Sequence, residues 1–413
     1  MKQIDVAYVL HRFPSLTETF VAEEIRNVQN VGARVHLFSL LAPTTEIVHP
    51  VSADLVPQVR YAPEIFAPSL WWAQLYFLSR MPRQYLQLLW TLVAEPAPEF
   101  NFILKRLVIF LKGVWVAKQL EGSPTQLVHT HFAWLSAAAC MVISQLLDLP
   151  FTVTAHAYDI YSLKNDLLAL TTKMADRVVT ISGYNKGAIL DKSAGLDPQR
   201  IEVIHCGIDV ERFQRSDGRP ANQVFQITAV GSLFEKKGHE YLIRACSELR
   251  AQGLDYECVI VGEGSLEQPL RSLIHELELD GQVMLAGGQI QTWVRDRLGT
   301  SDLFALACVV EGTGERDGIP VAIMEAMASG VPVVSTSVSG IPELVRHEET
   351  GLLVHPKDAS ALAAAILRLS RDDSLYGRLA ANGRRFVEQE YDIHQNAARL
   401  VRLFQDVIEE RGR

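Results

Sequence analysis

The chain reads as an α/β protein built from two doubly wound domains, each with a parallel sheet. At 413 residues it is longer than one hydrophobic core usually supports. Short apolar runs alternate with helix-compatible stretches, the signature of repeated βα units. That alternation breaks once, at the Gly/Asp/Pro-containing stretch 216–222, and then starts again.

In the first half the expected strands are Asp5–Leu10, Arg34–Leu40, Leu127–His131, Phe151–Thr154 and Arg177–Ile181, with a helix from about Glu18 after the first of them. The second half restarts at Val224–Val230 and continues through Glu257–Val261, Gln282–Ala286, Asp302–Ala307, Val331–Thr336 and Leu352–His355. Residues 393–408 form an amphipathic helix with Leu400, Leu403, Phe404 and Val407 on one side, which needs a surface to cover. The expected division is 1–218 and 219–390, with 391–413 as a closing helix on the first domain. Ligands of such sheets bind beyond the strand C-termini, so a cleft between two facing domains is the expected site.

Composition narrows the function. Charged residues make up 21% and the net charge is −9, which argues against a general nucleic-acid binder while leaving room for a local phosphate pocket. The five cysteines are scattered and never form a CxxC pair, which suits a reducing compartment and suggests no zinc site. The chain opens on a strand pattern without a charged leader or cleavage signal, so a cytoplasmic protein is expected. The apolar stretch Phe100–Ala117 is interrupted by Lys105, Arg106 and Lys112 and falls short of a membrane span. Together with residues 70–90, rich in Trp71, Trp72, Tyr76, Phe77, Tyr85 and Trp90 beside Arg80 and Arg83, it has two readings. Such segments either lie in a membrane interface, here the inner face of the cytoplasmic membrane, or pack on the sheet.

The strongest local signal runs from Asp317 to Gly330. Pro320 at a first helical position and Gly330 past the last turn bracket a short helix. Its N-terminus, with Gly318 and the N–H groups of Ile319 and Val321, suits a phosphate. Glu325 within it leans back toward that end, where a ribose could receive its hydrogen bonds. Its neighbours Ile323, Met324, Ala326 and Met327 make a solvent face an odd setting for a carboxylate.

The loop Gly231–Gly238 follows the first strand of the second half and carries Ser232, Lys236 and Lys237. A lysine there either neutralises a phosphate or sits in a solvated basic turn. Gly262-Glu263-Gly264 fits close backbone approach to a ligand or a tight turn, and lacks the third glycine of a dinucleotide fingerprint. In the first half, His156 and Asp159 follow a strand and would project into the cleft. His129 and His131 invite a metal reading, rejected because no acidic or cysteine partner stands at ligand spacing. The loop 11–19, with Ser15, Thr17, Glu18 and Thr19, is a helix cap, a ligand loop, or both.

Taken together these motifs resemble the retaining glycosyltransferases of family 4, which have the GT-B fold of two facing Rossmann-like domains. The resemblance covers nearly the whole chain and rests on Lys237-Gly238, Gly262-Glu263-Gly264, the Asp317-to-Glu325 helix, and Val-Ile-His-Cys-Gly-Ile-Asp at 203–209. Phe-Pro-Ser-Leu-Thr-Glu-Thr-Phe at 13–20 and His-Ala-Tyr-Asp at 156–159 look like a bacterial branch that builds exopolysaccharide or lipopolysaccharide. The resemblance implies a hexosyl transfer from a nucleotide-diphosphate sugar to a saccharide or lipid-linked acceptor, with no cofactor and no metal. It implies that Glu325 holds the donor ribose, Asp317 the sugar hydroxyls and Lys237 the leaving diphosphate, with His156 approaching the sugar and residues 15–19 and Asp159 on the acceptor side. The sequence departs from the family pattern at Asp317, commonly glutamate, at Ser232, commonly a phosphate-binding arginine, and in lacking paired glycines in the first loop. The rival readings are a nucleotide-sugar epimerase of similar architecture and a catalytically silent nucleotide-sugar binding protein.

Overall fold

The computed structural model describes residues 3–412 apart from 16–17, 45–49, 98, 163–164 and 214–222. They form two compact units, Met1–His205 with Ile393–Arg413, and Cys206–Asp392.

The first unit holds strands β1 (Asp5–Arg12), β2 (Arg34–Leu41), β3 (Val59–Tyr61), β4 (Leu127–His131), β5 (Phe151–Ala155), β6 (Arg177–Thr180) and β7 (Ile201–Val203). They pair in parallel in the order β3-β2-β1-β4-β5-β6-β7. The second unit has β8 (Phe225–Val230), β9 (Tyr256–Val261), β10 (Val283–Leu285), β11 (Leu303–Leu306), β12 (Val333–Thr336) and β13 (Leu352–Val354). Its order is β10-β9-β8-β11-β12-β13, again parallel. β4, β5 and β11 are buried along their whole length, as befits parallel strands covered on both faces. Each sheet reverses its winding once, between β1 and β4 and between β8 and β11, and the strand ends at those two switch points are where ligands bind in such sheets.

The expected junction at 218/219 lies in the undescribed stretch, and the compact units divide earlier, between His205 and Cys206. Ile208 N–H donates to the Tyr391 carbonyl at 2.9 Å, and Val210 and Phe213 are buried with Val259, Leu306 and Tyr391, so this segment belongs to the second core. The closing helix Ile393–Arg411 crosses back to the first unit and packs on the helix Thr19–Asn30. There it buries Ala397, Leu400, Val401, Phe404 and Val407 in one cluster with Val6, Tyr8 and Ile25. Arg411 fixes its end through Asp176 at 3.1 Å and Asp148 at 2.8 Å.

Helices Pro68–Arg80, Pro82–Ala94 and Phe100–Leu120 join β3 to β4. Two of the cations expected at a membrane are in fact interior. Arg106 is fully buried, pairs with Asp166 at 2.6 Å and donates to the carbonyls of Leu92, Glu95 and Pro96, while Lys112 donates to the Leu40 carbonyl at 2.6 Å. The packing reading therefore holds for most of Phe100–Leu120. The outer faces of the two preceding helices differ, leaving Trp71, Trp72, Leu75, Leu78, Leu86 and Trp90 exposed.

Candidate functional site

In the second unit the loop after β8 turns through Glu235–Lys237 and reaches Gly238, whose φ of 66° suits glycine, before the helix His239–Ala251. An added Cβ at Gly238 would stand 1.8 Å from the Ala307 carbonyl oxygen just beyond β11. The two loops at the switch point are thus locked backbone to backbone. Gly238→Ala is expected to cost about 2–4 kcal/mol of unfolding free energy, combining this overlap with the positive φ. Denaturant unfolding of the variant checks it, and an unchanged midpoint counts against the close fit.

This locking sets the distance between two expected site residues. Lys237 Nζ meets Asp317 Oδ2 at 2.7 Å, with side chains 14% and 18% exposed. Burial works against the Lys237 ammonium, yet Asp317 and Cys308 outweigh it and hold its pKa above the ordinary lysine range. The Cys308 thiol adds a 3.8 Å contact to the same Asp317 oxygen. Lys236 is tied through its backbone, its N–H donating to Glu311 Oε1 at 3.2 Å and its carbonyl accepting from Val309 at 3.0 Å.

The helix beyond Asp317 spans Val321–Ala328, with Pro320 in the cap position rather than the first helical one. Gly318 and Ile319 are buried before it, and Val321 is exposed at its first turn. In that turn Ile323 N–H donates to the Pro320 carbonyl at 3.1 Å, while the N–H groups of Val321 and Ala322 lack intrahelical acceptors by helix geometry. Glu325 is 9% exposed among buried Ile323, Met324, Ala326 and Met327, and Gln291 Nε2 lies 3.5 Å from its Oε1.

Gly262 and Gly264 let the loop after β9 pack closely on backbone of the same unit. An added Cβ would come within 2.0 Å of the Gly231 carbonyl oxygen at Gly262 and 2.4 Å of the Leu233 carbonyl oxygen at Gly264. The close approach is to the Ser232-bearing loop itself, the tight-turn alternative.

In the first unit, Ser15 and Glu18 line a cavity of about 230 Å³ together with His11, His131, Trp134 and Tyr158. Thr17 lies outside the described residues. Glu18 occupies the cap position of the helix opening at Thr19 but makes no side-chain cap bond, and burial raises its pKa. Of the two readings of this loop, the capping one is not supported at Glu18.

Asp159 is reassigned. Fully buried, it accepts from the N–H of Ala133 at 2.7 Å and of His156 at 2.9 Å, so it pins the turns after β4 and β5 rather than facing an acceptor. Burial pushes its pKa up to about 6.

His156 is buried at the end of β5, its ring between Phe20 and Phe132 at centroid distances of 4.8 Å. Burial, aided by His131, lowers its pKa to about 3. Its Nε2 is 3.0 Å from His131 Nδ1, and His131 Nε2 is 3.0 Å from Glu24 Oε1, which also accepts from the Tyr8 hydroxyl at 3.0 Å. The absence of an acidic partner for His129 and His131, the ground for rejecting a metal, is therefore corrected: Glu24 arrives from the helix Thr19–Asn30. The donor atoms of Glu24, His129 and His131 lie within 4.8 Å of one another. Hydrogen bonds account for those contacts, His129 being held by Thr152 at 2.8 Å and Thr154 at 3.3 Å. Sequence reasoning missed Glu24, although its place between Val21, Ile25 and Val28 puts it toward the buried side of its helix.

Comparison with known proteins supplies independent findings. The family profile described as Glycosyltransferase Family 4 matches residues 17–212, and that described as Glycosyl transferases group 1 matches residues 210–386. A glycosyltransferase of Salmonella typhimurium named for colanic acid biosynthesis is 29% identical, over 97% of this chain and 100% of its own. Among solved structures, a glycosyltransferase of Rickettsia africae superposes with a TM-score of 0.74 at 18% identity, covering 99% of each chain. Anabaena HepE, solved with UDP, gives 0.72 at 16% identity over 98% of this chain and 100% of its own. At these identities the two structures establish the shared GT-B fold.

Proposed function

Since the chain belongs to the family 4, group 1 glycosyltransferases of cell-surface polysaccharide synthesis, we propose that it moves a hexosyl group from a nucleotide-diphosphate sugar to a saccharide or lipid-linked acceptor with retained configuration. The Lys237–Asp317 pair beside the helix bearing Glu325 carries this reading. Lys237 and the first turn at Val321 offer positive potential to a diphosphate, Glu325 holds the ribose, Asp317 meets hydroxyls of the transferred sugar, and His156 serves as a hydrogen-bonding group for a sugar hydroxyl. In the transfer the bond from the anomeric carbon to the phosphate oxygen breaks. The acceptor hydroxyl forms the new bond on the same face, and its proton passes to the departing phosphate. Negative charge grows on that phosphate in the transition state, so fixed cations there raise the rate, and no metal is needed. A panel of UDP, GDP and ADP sugars tests the reading by thermal stabilisation, slow hydrolysis and the anomeric configuration of the product. The UDP held by Anabaena HepE makes UDP sugars the first to try. An inverted product, or stabilisation by none of the panel, overturns it.

We extend the proposal to the acceptor's setting. Trp72, Trp90 and Phe100 are 65%, 71% and 70% exposed, and Arg80, Arg83 and Lys105 are exposed in the same helices. Among the described residues no helix is long and apolar enough to cross a membrane. Aromatic side chains flanked by cations suit an anionic bilayer surface, where a lipid-linked acceptor would be met. The protein is expected to sediment with phosphatidylglycerol vesicles at low salt. Changing Trp71, Trp72 and Trp90 to serine should weaken that partition by about 10-fold or more. Equal sedimentation of both proteins sinks this part.

A further inference from the structure

Behind His156 stand Tyr8, Glu24 and His131, which the transfer scheme above does not use, and the geometry of this chain of groups is unusually constrained. The His131 and His156 rings are 17° from coplanar with centroids 5.2 Å apart, and their facing nitrogens are 3.0 Å apart, so one hydrogen lies between them near both ring planes. The backbone of His156 is fixed as well, its N–H by Asp159 at 2.9 Å and its carbonyl by Asn185 Nδ2 at 2.7 Å. What remains variable is which nitrogen carries the proton.

We propose that Glu24 and His131 are positioning residues that fix His156 in the Nε2–H tautomer, leaving Nδ1 as a hydrogen-bond acceptor for a sugar hydroxyl. A carboxylate can only accept, so His131 must present Nε2–H to Glu24. With one proton per ring, His131 Nδ1 is then an acceptor and His156 must donate from Nε2. Neutral rings also avoid burying a cation on His131, which is 1% exposed, and leave the one charge on Glu24, whose side chain is 23% exposed. A histidine with the wrong tautomer loses its function although its position is unchanged, and partners that orient a working histidine commonly matter by about 10–100-fold.

The proposal rests on His156 meeting the sugar, and the experiment separates the two. Glu24→Gln keeps the shape but offers an NH₂ as well as an oxygen, so both proton orders become available. ¹⁵N-histidine NMR of the protein without donor should show His156 in one tautomer in the wild type and in both in Glu24→Gln. That readout is independent of the donor's identity and would not respond to loosened packing alone. In transfer assays Glu24→Gln and His131→Ala should lower kcat by about 10–100-fold, with a smaller change in donor KM. Wild-type activity in His156→Ala defeats the sugar-contact reading. An impaired His156→Ala alongside fully active Glu24→Gln, or an unchanged His156 tautomer in Glu24→Gln, defeats the relay. One equivalent of zinc in the purified protein also defeats it, because a metal-bound Nε2 cannot carry the proton.

Discussion

Replacing Lys237 by alanine is expected to lower turnover by about 10²–10³-fold, the loss typical of removing one preorganised group that stabilises charge in the transition state. The loss should fall more on kcat than on donor affinity, because the phosphate is more negative as it leaves than when it is bound. The ion pair at 2.7 Å adds a second effect. Without Lys237 the half-buried Asp317 carboxylate keeps its charge beside the incoming diphosphate, so donor affinity should fall too. Lys237→Ala/Asp317→Asn removes that repulsion, and donor affinity should recover in part while turnover stays low. Steady-state kinetics of the cycle checks both halves, and equal turnover in Lys237→Ala and wild type rejects the diphosphate role. Lys236 tests whether the charge is shared. Lys236→Ala should show a smaller loss of the same kind, and Ser232→Arg, restoring the cation common in the family, should offset part of it.

Glu325→Ala is expected to raise the donor KM by about 10–150-fold, corresponding to about 1.5–3 kcal/mol for charge-assisted hydrogen bonds to the ribose. The fold should survive, because the carboxylate is the polar member of an otherwise apolar helix face. Turnover should fall less than KM rises if the contact is made equally in the ground state and the transition state. Wild-type donor KM in a folded Glu325→Ala protein removes the ribose assignment.

Much of the architecture was readable because short runs rich in apolar and β-branched residues recur between helix-compatible stretches, which marks β4, β5, β8, β9 and β11 without any knowledge of their partners. The three-residue edge strands β3 and β7 escaped notice, since Val59-Arg60-Tyr61 and Ile201-Glu202-Val203 are too short and too polar to stand out. Lys237, Asp317 and Glu325 could be named from local context, a glycine-bounded loop and a carboxylate among methionines. Their pairing could not, because the 2.7 Å contact depends on Gly238 packing against Ala307. The errors share one cause. Glu24 joins His131 from 107 positions away, and Arg106 finds Asp166 from 60 positions away. A charge whose partner is distant in sequence looks like a solvated one, which is why the membrane reading of Arg106 and Lys112 stood beside the packed one. At Gly262 and Gly264 the sequence shows that backbone must come close, while the backbone found there, that of Gly231 and Leu233, is visible only in the fold.

The return of the helix Ile393–Arg411 to the first unit has a consequence for how the chain matures on the ribosome. Cys206–Asp392 is continuous and can close as soon as it emerges, whereas the first unit waits for side chains made after the whole of the second. At about 5–20 residues per second that wait lasts on the order of 10–40 s. Throughout it the apolar surface that Leu400, Phe404 and Val407 will cover, around Val6, Tyr8 and Ile25, is open to solvent and to chaperones. The unit synthesised first is thus the last to be finished, and the closing helix acts as the clasp that ends its exposure.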